Sequence, residues 1–180
     1  MKKLLLILLA LLFILVSCSF YKEASSYALI VSSKKVHESI VNILLKLNSD
    51  INMKDNEYGY TALMEASSKG YTKIVNTLLA HNADVNIQNY DGQTALMLAS
   101  SKGHTEIVNI LLAHNADINL KSYDGRTALI RASQKGYEEI VNILLKHNAD
   151  TTIQDISGFT ALDYALESGN SNIIRMLENN

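Results

Sequence analysis

DGQTALMLASSKGHTEIVNILLAHNADIN, residues Asp91 to Asn119, decides how the rest of the 180-residue chain is read. Shifted forward by 33 positions, it returns as DGRTALIRASQKGYEEIVNILLKHNADTT, Asp124 to Thr152. Shifted back by 33, it is YGYTALMEASSKGYTKIVNTLLAHNADVN, Tyr58 to Asn86. A last copy, SGFTALDYALESGNSNIIRMLENN, runs from Ser157 to Asn180. Self-similarity at such a period marks a repeat architecture and fixes the fold before any single residue is weighed.

Each unit carries its own start and stop signals. Thr94 is an N-cap for a short helix with Leu96 and Ala99 on its apolar side, and Gly103 supplies the positive φ that ends it. A second helix follows, with Ile107, Val108, Leu111 and Leu112 forming a buried stripe at helical spacing. Asn115 stands where a left-handed residue closes that helix. Asp117 to Gly125 lacks a helical period and is rich in turn formers, so it is expected to project as a hairpin-like finger. Neither helix is long enough to stand alone in water, so the units must stack into a solenoid.

These residues resemble the ankyrin repeat. The G-x-T-x-L start, the A-x-x-x-G centre, the I-V-x-x-L-L run and the A-D-x-N close recur from about Tyr27 to the C-terminus. The resemblance implies an all-α solenoid of about five helix-turn-helix repeats with short hairpin-like fingers. The repeats fall at about 27–52, 53–86, 87–119, 120–152 and 153–180, the first and last being caps. The first unit is offset by 34, with its extra residue between Asn52 and Gly59. The family's Thr-Pro-Leu-His becomes Thr-Ala-Leu-Met or a relative here. Ala62, Ala95, Ala128 and Ala161 take the proline place, and Met64, Met97, Ile130 and Asp163 the histidine place. The resemblance therefore implies that the histidine's hydrogen bonds between repeats are missing.

The N-terminus reads as a separate device. Lys2 and Lys3 precede an apolar run from Leu4 to Val16 that is too short to span a bilayer comfortably and fits a signal peptide over 1–17. Leu15-Val16-Ser17-Cys18 resembles the bacterial lipobox, which makes Cys18 the expected lipidation site. Residues 18–26 are then a lipid-anchored tether and 27–180 the folded domain. Cys18 is the single cysteine of the chain, so no disulfide is expected. Ser19 after it favours the outer over the inner membrane, with the domain facing the periplasm or the exterior. The formal charge of −2 argues against nucleic acid or an acidic membrane surface as the main partner.

Periodic residues invite chemical readings that their columns answer. His81, His114 and His147 recur one per repeat, but packed helices about 8–10 Å apart cannot bring them to one metal, whose ligands lie about 2 Å away. They suit helix C-termini instead. Ser67, Ser100 and Ser133 fill small-residue positions between helices, and Asp84, Asp117 and Asp150 cap turns. No phosphate-cradling loop is present. Neither an enzyme nor a cofactor or metal protein is expected.

The expected activity is binding another protein, as a monomer, through the concave face of fingers and first helices that the resemblance implies. That face is expected to hold Tyr58, Tyr60, Tyr90, Gln93, Tyr123, Arg126, Ile156 and Phe159 on the fingers. The first helices add Glu65, Leu98, Arg131 and Tyr164, with Lys69, Lys102 and Lys135 near their ends. Exposed Tyr and Arg suit an interface. An immunity, protective or host-contact role would each use such a face. The alternative is a structural spacer whose tyrosines only pack finger on finger.

Overall fold

The computed structural model describes residues 21–35, 38–47 and 49–180, and these form helices, turns and connecting loops with no strand among them. Cys18 and the apolar run lie outside the described residues. Among the described residues ten helices alternate in two layers. The first helix of each repeat is α1 (residues 21–34), α3 (Ala62–Lys69), α5 (Ala95–Lys102), α7 (Ala128–Lys135) and α9 (Ala161–Ser168). The second helices are α2 (Glu38–Lys46), α4 (Thr72–Ala80), α6 (Thr105–Ala113), α8 (Glu138–Lys146) and α10 (Ser171–Glu178). In the array α3 packs on α5, α5 on α7 and α7 on α9, while α2, α4, α6, α8 and α10 form the outer row. No helix among the described residues is long and apolar enough to cross a membrane.

The local signals do what their chemistry requires. The Thr61, Thr94, Thr127 and Thr160 hydroxyls each accept a hydrogen bond from the backbone N–H three residues on. Asp163 reaches back to the Thr160 N–H, completing a capping box. Asn82, Asn115 and Asn148 are the described non-glycine residues with positive φ, each near 60°. Leu78, Leu111 and Leu144 are fully buried at equivalent positions, each contributing on the order of 1.5–3 kcal/mol by leaving water. Leu112, expected in the same stripe, is half-buried.

The fingers are turns rather than a ladder of strands. Their bases close through Asn89 N–H to the Gln93 carbonyl, Ser122 N–H to Arg126 and Asp155 N–H to Phe159. In the second repeat the closure runs from Asp55 to Tyr60, one residue wider, which is where the extra residue of the 34-residue offset sits. Successive fingers are joined by backbone bonds, Tyr90 N–H to the Tyr58 carbonyl, Tyr123 N–H to Asp91 and Ile156 N–H to Asp124, at 2.9–3.1 Å. A second ladder runs behind them. Asn52, Asn86 and Asn119 accept through their side chains from the N–H groups of Asp84, Asp117 and Asp150 in the following repeat, at 2.8–2.9 Å.

Residues 21–26, expected to belong to a tether, are helical in α1. Ser25 and Ser26 are buried there, and the Ser26 hydroxyl accepts from the Asp50 N–H at 2.6 Å. The first helix is therefore about two turns longer at its start than its counterparts, and the folded part begins closer to Cys18 than the repeat pattern alone indicates.

Candidate partner-binding face

Gly59 and Gly92 explain how the finger tyrosines are held. Both have positive φ, and a Cβ at Gly59 would lie 2.7 Å from the Tyr90 ring, at Gly92 2.8 Å from the Tyr123 ring. Each ring thus lies against the backbone of the preceding finger, at a distance only glycine allows. The outer faces stay open: Tyr58 and Tyr90 are more than half exposed and Tyr123 is 73% exposed. Packing on the preceding finger and exposure to solvent thus coexist in one ring. Tyr60, half-buried, makes an edge contact with Tyr58 at 6.4 Å between centroids.

Inside the row of tyrosines runs a polar groove. One basin of about 480 Å³ is lined by Lys34, Tyr58, Tyr60, Glu65, Lys69 and their neighbours Asp91 and Gln93. A second, of about 260 Å³, continues from Asp91 and Gln93 to Tyr123, Asp124 and Arg131. Cations and carboxylates alternate along the floor, so the groove offers hydrogen-bond donors and acceptors without a single strong field.

The column of Glu65, Leu98, Arg131 and Tyr164 departs from expectation. Glu65 and Leu98 are buried, Tyr164 is 7% exposed and Arg131 is half-buried. The column lies at the seam between first helices and fingers, where Leu98 joins the core and the three polar side chains meet partners from neighbouring elements. Glu65 pairs with Lys34 at 3.4 Å, and that carboxylate raises the lysine's pKa. Arg131 reaches Asp124 at 3.1 Å and donates to the Ser122 hydroxyl at 2.8 Å. Burial pulls the Arg131 pKa down although Asp124 opposes it. For Asp124 burial works upward, yet Ser122, Arg131 and Arg126 together hold its pKa low.

Arg126 is also engaged rather than free. Its guanidinium donates to Asp155 at 3.3 Å and to the Tyr164 hydroxyl at 2.7 Å, and lies 5.1 Å from the Tyr164 ring centre. Tyr164 donates in turn to Asp155 at 2.6 Å. Burial alone would raise the Asp155 pKa, but the bonds from Tyr164, Phe159 N–H, Ser157 N–H and Arg126 bring it below its usual value. The Tyr164 pKa is raised, first by its bond to Asp155.

Lys102, Lys135 and Phe159 are exposed, Gln93 is half-buried, and Ile156 is bare at the last finger. Sequence reasoning missed Asp91, Asp124, Asp155 and Ser122, which line or brace the groove. The recurring acid one residue before the finger glycine, at Asp91 and Asp124, is the signal that could have found two of them. His81, His114 and His147 each place Nδ1 2.9 Å from the carbonyl four residues back on their own helix. Ser67, Ser100 and Ser133 are fully buried between helices, closed to any substrate.

The ankyrin-repeat pattern matches residues 5–89, 82–155 and 123–180, the first match reaching back into the apolar run. The chain belongs to the ankyrin-repeat family. No curated protein matches it. Ankyrin repeats generally act by binding other proteins rather than by catalysis.

Proposed function

We propose that this ankyrin array is a stoichiometric protein-binding module, held at a bacterial envelope by lipid on Cys18 and facing the periplasm or the exterior. The observation that carries the binding role is the tyrosine row. Tyr58, Tyr90 and Tyr123 stand one per finger, Tyr90 and Tyr123 braced against a glycine backbone and all three open to solvent. An aromatic ring already fixed on one side loses little freedom on binding, which is what an interface anchor needs. The partner lies over the row and places polar groups in the groove between Lys34 and Arg131.

The lipid anchor is supported by Leu15-Val16-Ser17-Cys18 after a charged and apolar leader. An immunity protein, a guardian of a periplasmic enzyme and a protein that contacts a host molecule would all use this arrangement. A photo-crosslinking residue at Tyr123, with another at Asn109 on the outer row, tests the binding role in whole envelopes. An adduct with one protein from position 123 alone supports it. Equal or absent adducts at both positions favour a spacer. For the anchor, Cys18→Ala should abolish palmitate labelling and release the protein or block its maturation, and an unlabelled wild type ends that claim.

A further inference from the structure

The two ends of the solenoid are finished differently. Ile74, Ile107, Ile140 and Ile173 occupy one column of the second helices and are at most 1% exposed in every repeat from the second to the last. In the repeat of α9 and α10 the helices pack on α7 and α8 alone, so a column still buried there faces the preceding repeat. Its member in the first repeat, Ile40, has no preceding repeat among the described residues and is 43% exposed. Ala28 behaves alike, half-buried where Ala62, Ala95, Ala128 and Ala161 are closed off. Ile43 and Leu47 extend the bare strip along α2 at helical spacing, both exposed. The opposite end carries exposed Glu178, Asn179 and Asn180. Terminal repeats ordinarily present a polar outer face, and the first repeat does not.

We propose that this apolar end face of the first repeat, Ile40, Ile43 and Leu47, rests on the lipid bilayer. The inference builds on the lipid anchor at Cys18. Only Ser19 and Phe20 separate Cys18 from Tyr21, the first described residue of α1. Three residue steps reach about 10 Å at most, which sets the greatest distance between the start of α1 and the lipidated residue. The same end of the repeat carries Leu47, because the bond from Asp50 N–H to Ser26 lays the exit of α2 beside the early turns of α1. Exposed Tyr21 and Tyr27 sit on those turns, and tyrosine belongs at the boundary between lipid and water. Head-to-tail stacking of a second copy would instead bury Glu178 and its polar neighbours against the isoleucines. In this pose the array stands on its first repeat and holds the remaining fingers away from the membrane.

The test uses the full, processed chain in zwitterionic phosphatidylcholine vesicles, with an environment-sensitive dye on Ile43→Cys or, as control, on Asn109→Cys. Lipids carrying a quencher should cut emission from position 43 about twofold, since an apolar face on a bilayer sits about 5–10 Å into the headgroup boundary, and leave position 109 unchanged. Retained helicity of both variants secures the reading. Equal quenching at 43 and 109 overturns the proposal. So does a dye at 43 that is shielded from water yet untouched by the lipid quencher, which would mean that another protein segment covers the face. Mass spectrometry of the mature N-terminus separates the two claims. Lipid on Cys18 without quenching at 43 keeps the anchor and rejects the face, and quenching at 43 without lipid on Cys18 does the reverse.

Discussion

The groove is built from the same columns throughout, yet its two halves are used differently. From Lys34 to Tyr123 it is open, with tyrosine rings, Lys69 and Asp91 turned to solvent and, among the described residues, one cross-element ion pair, exposed Lys34 with buried Glu65. From Asp124 to Tyr164 it is interlocked, because Arg126, Arg131, Asp124, Asp155 and Tyr164 are bonded in pairs, although Arg131 Nε is left without a partner. A repeat column fixes where a side chain stands but not whether it is available. Availability depends on whether the neighbouring repeat supplies a complementary group. Arginines that look like interface anchors from their column can be structural braces once an acid and a tyrosine stand opposite them.

The interlocked half is most vulnerable at Asp155, whose side chain is 1% exposed. Asp155→Ala should cost about 2–4 kcal/mol in urea unfolding, because Tyr164, the Ser157 and Phe159 N–H groups and Arg126 lose their shared acceptor at about 1 kcal/mol each. A cost no larger than for a surface residue would mean that the second half is not locked. Asp155→Asn adds a pH signature. The folded pKa lies below the unfolded value of about 3.9, so the carboxylate stabilises fully above that value and the benefit disappears as pH falls through the folded pKa. Wild-type melting temperature should therefore drop on acidification below about pH 4, and the Asn variant, weaker at neutral pH, should lose less over that range.

In the open half the expected effect moves from stability to affinity. Tyr123→Ala should weaken binding of a captured partner by about 1–3 kcal/mol, with stability changed by no more than about 0.5 kcal/mol. Titration calorimetry paired with melts of the same variant reads both quantities. Unchanged affinity would place the contact off the tyrosine row.

The smallest effect is a gain. Ala95 and Ala161 are first helical residues, and Thr94 and Thr160 before them have the extended backbone that proline demands of its predecessor. Proline at either site should stabilise by about 0.4–1 kcal/mol. Equal gains at the two sites would show that the halves differ in their side-chain network alone, and a loss at Ala161 would tie the helix start to the Asp155 cluster.

How far the sequence could be read follows from the same distinction. Caps and stops were legible because one residue decides each: threonine hydroxyls, glycine at helix ends, asparagine at φ near 60°. The seam of Glu65, Leu98, Arg131 and Tyr164 was not, because variation between copies resembles surface freedom. Here it reflects pairing with residues on other elements, Lys34 for Glu65, Asp124 for Arg131, and Arg126 with Asp155 for Tyr164. Gly59 and Gly92 read as simple turn formers, and only the packed structure shows that a ring from the next finger needs their bare backbone. The long first helix escaped notice for a related reason. Ser25 and Ser26 look like linker residues until Asp50 is brought to them.

The asparagine ladder gives the array a direction of growth. Asn52, Asn86 and Asn119 each reach forward to the next repeat, so the first three joints are written by the same pair of residues. A duplicated copy of residues 87–119 could be spliced between two existing ones and find both of its joints already in place. The succession stops at Thr152, which turns its hydroxyl back to Asp150 within its own turn. Length is thus open to change in the interior, where the same asparagine and aspartate positions supply the joint at each step.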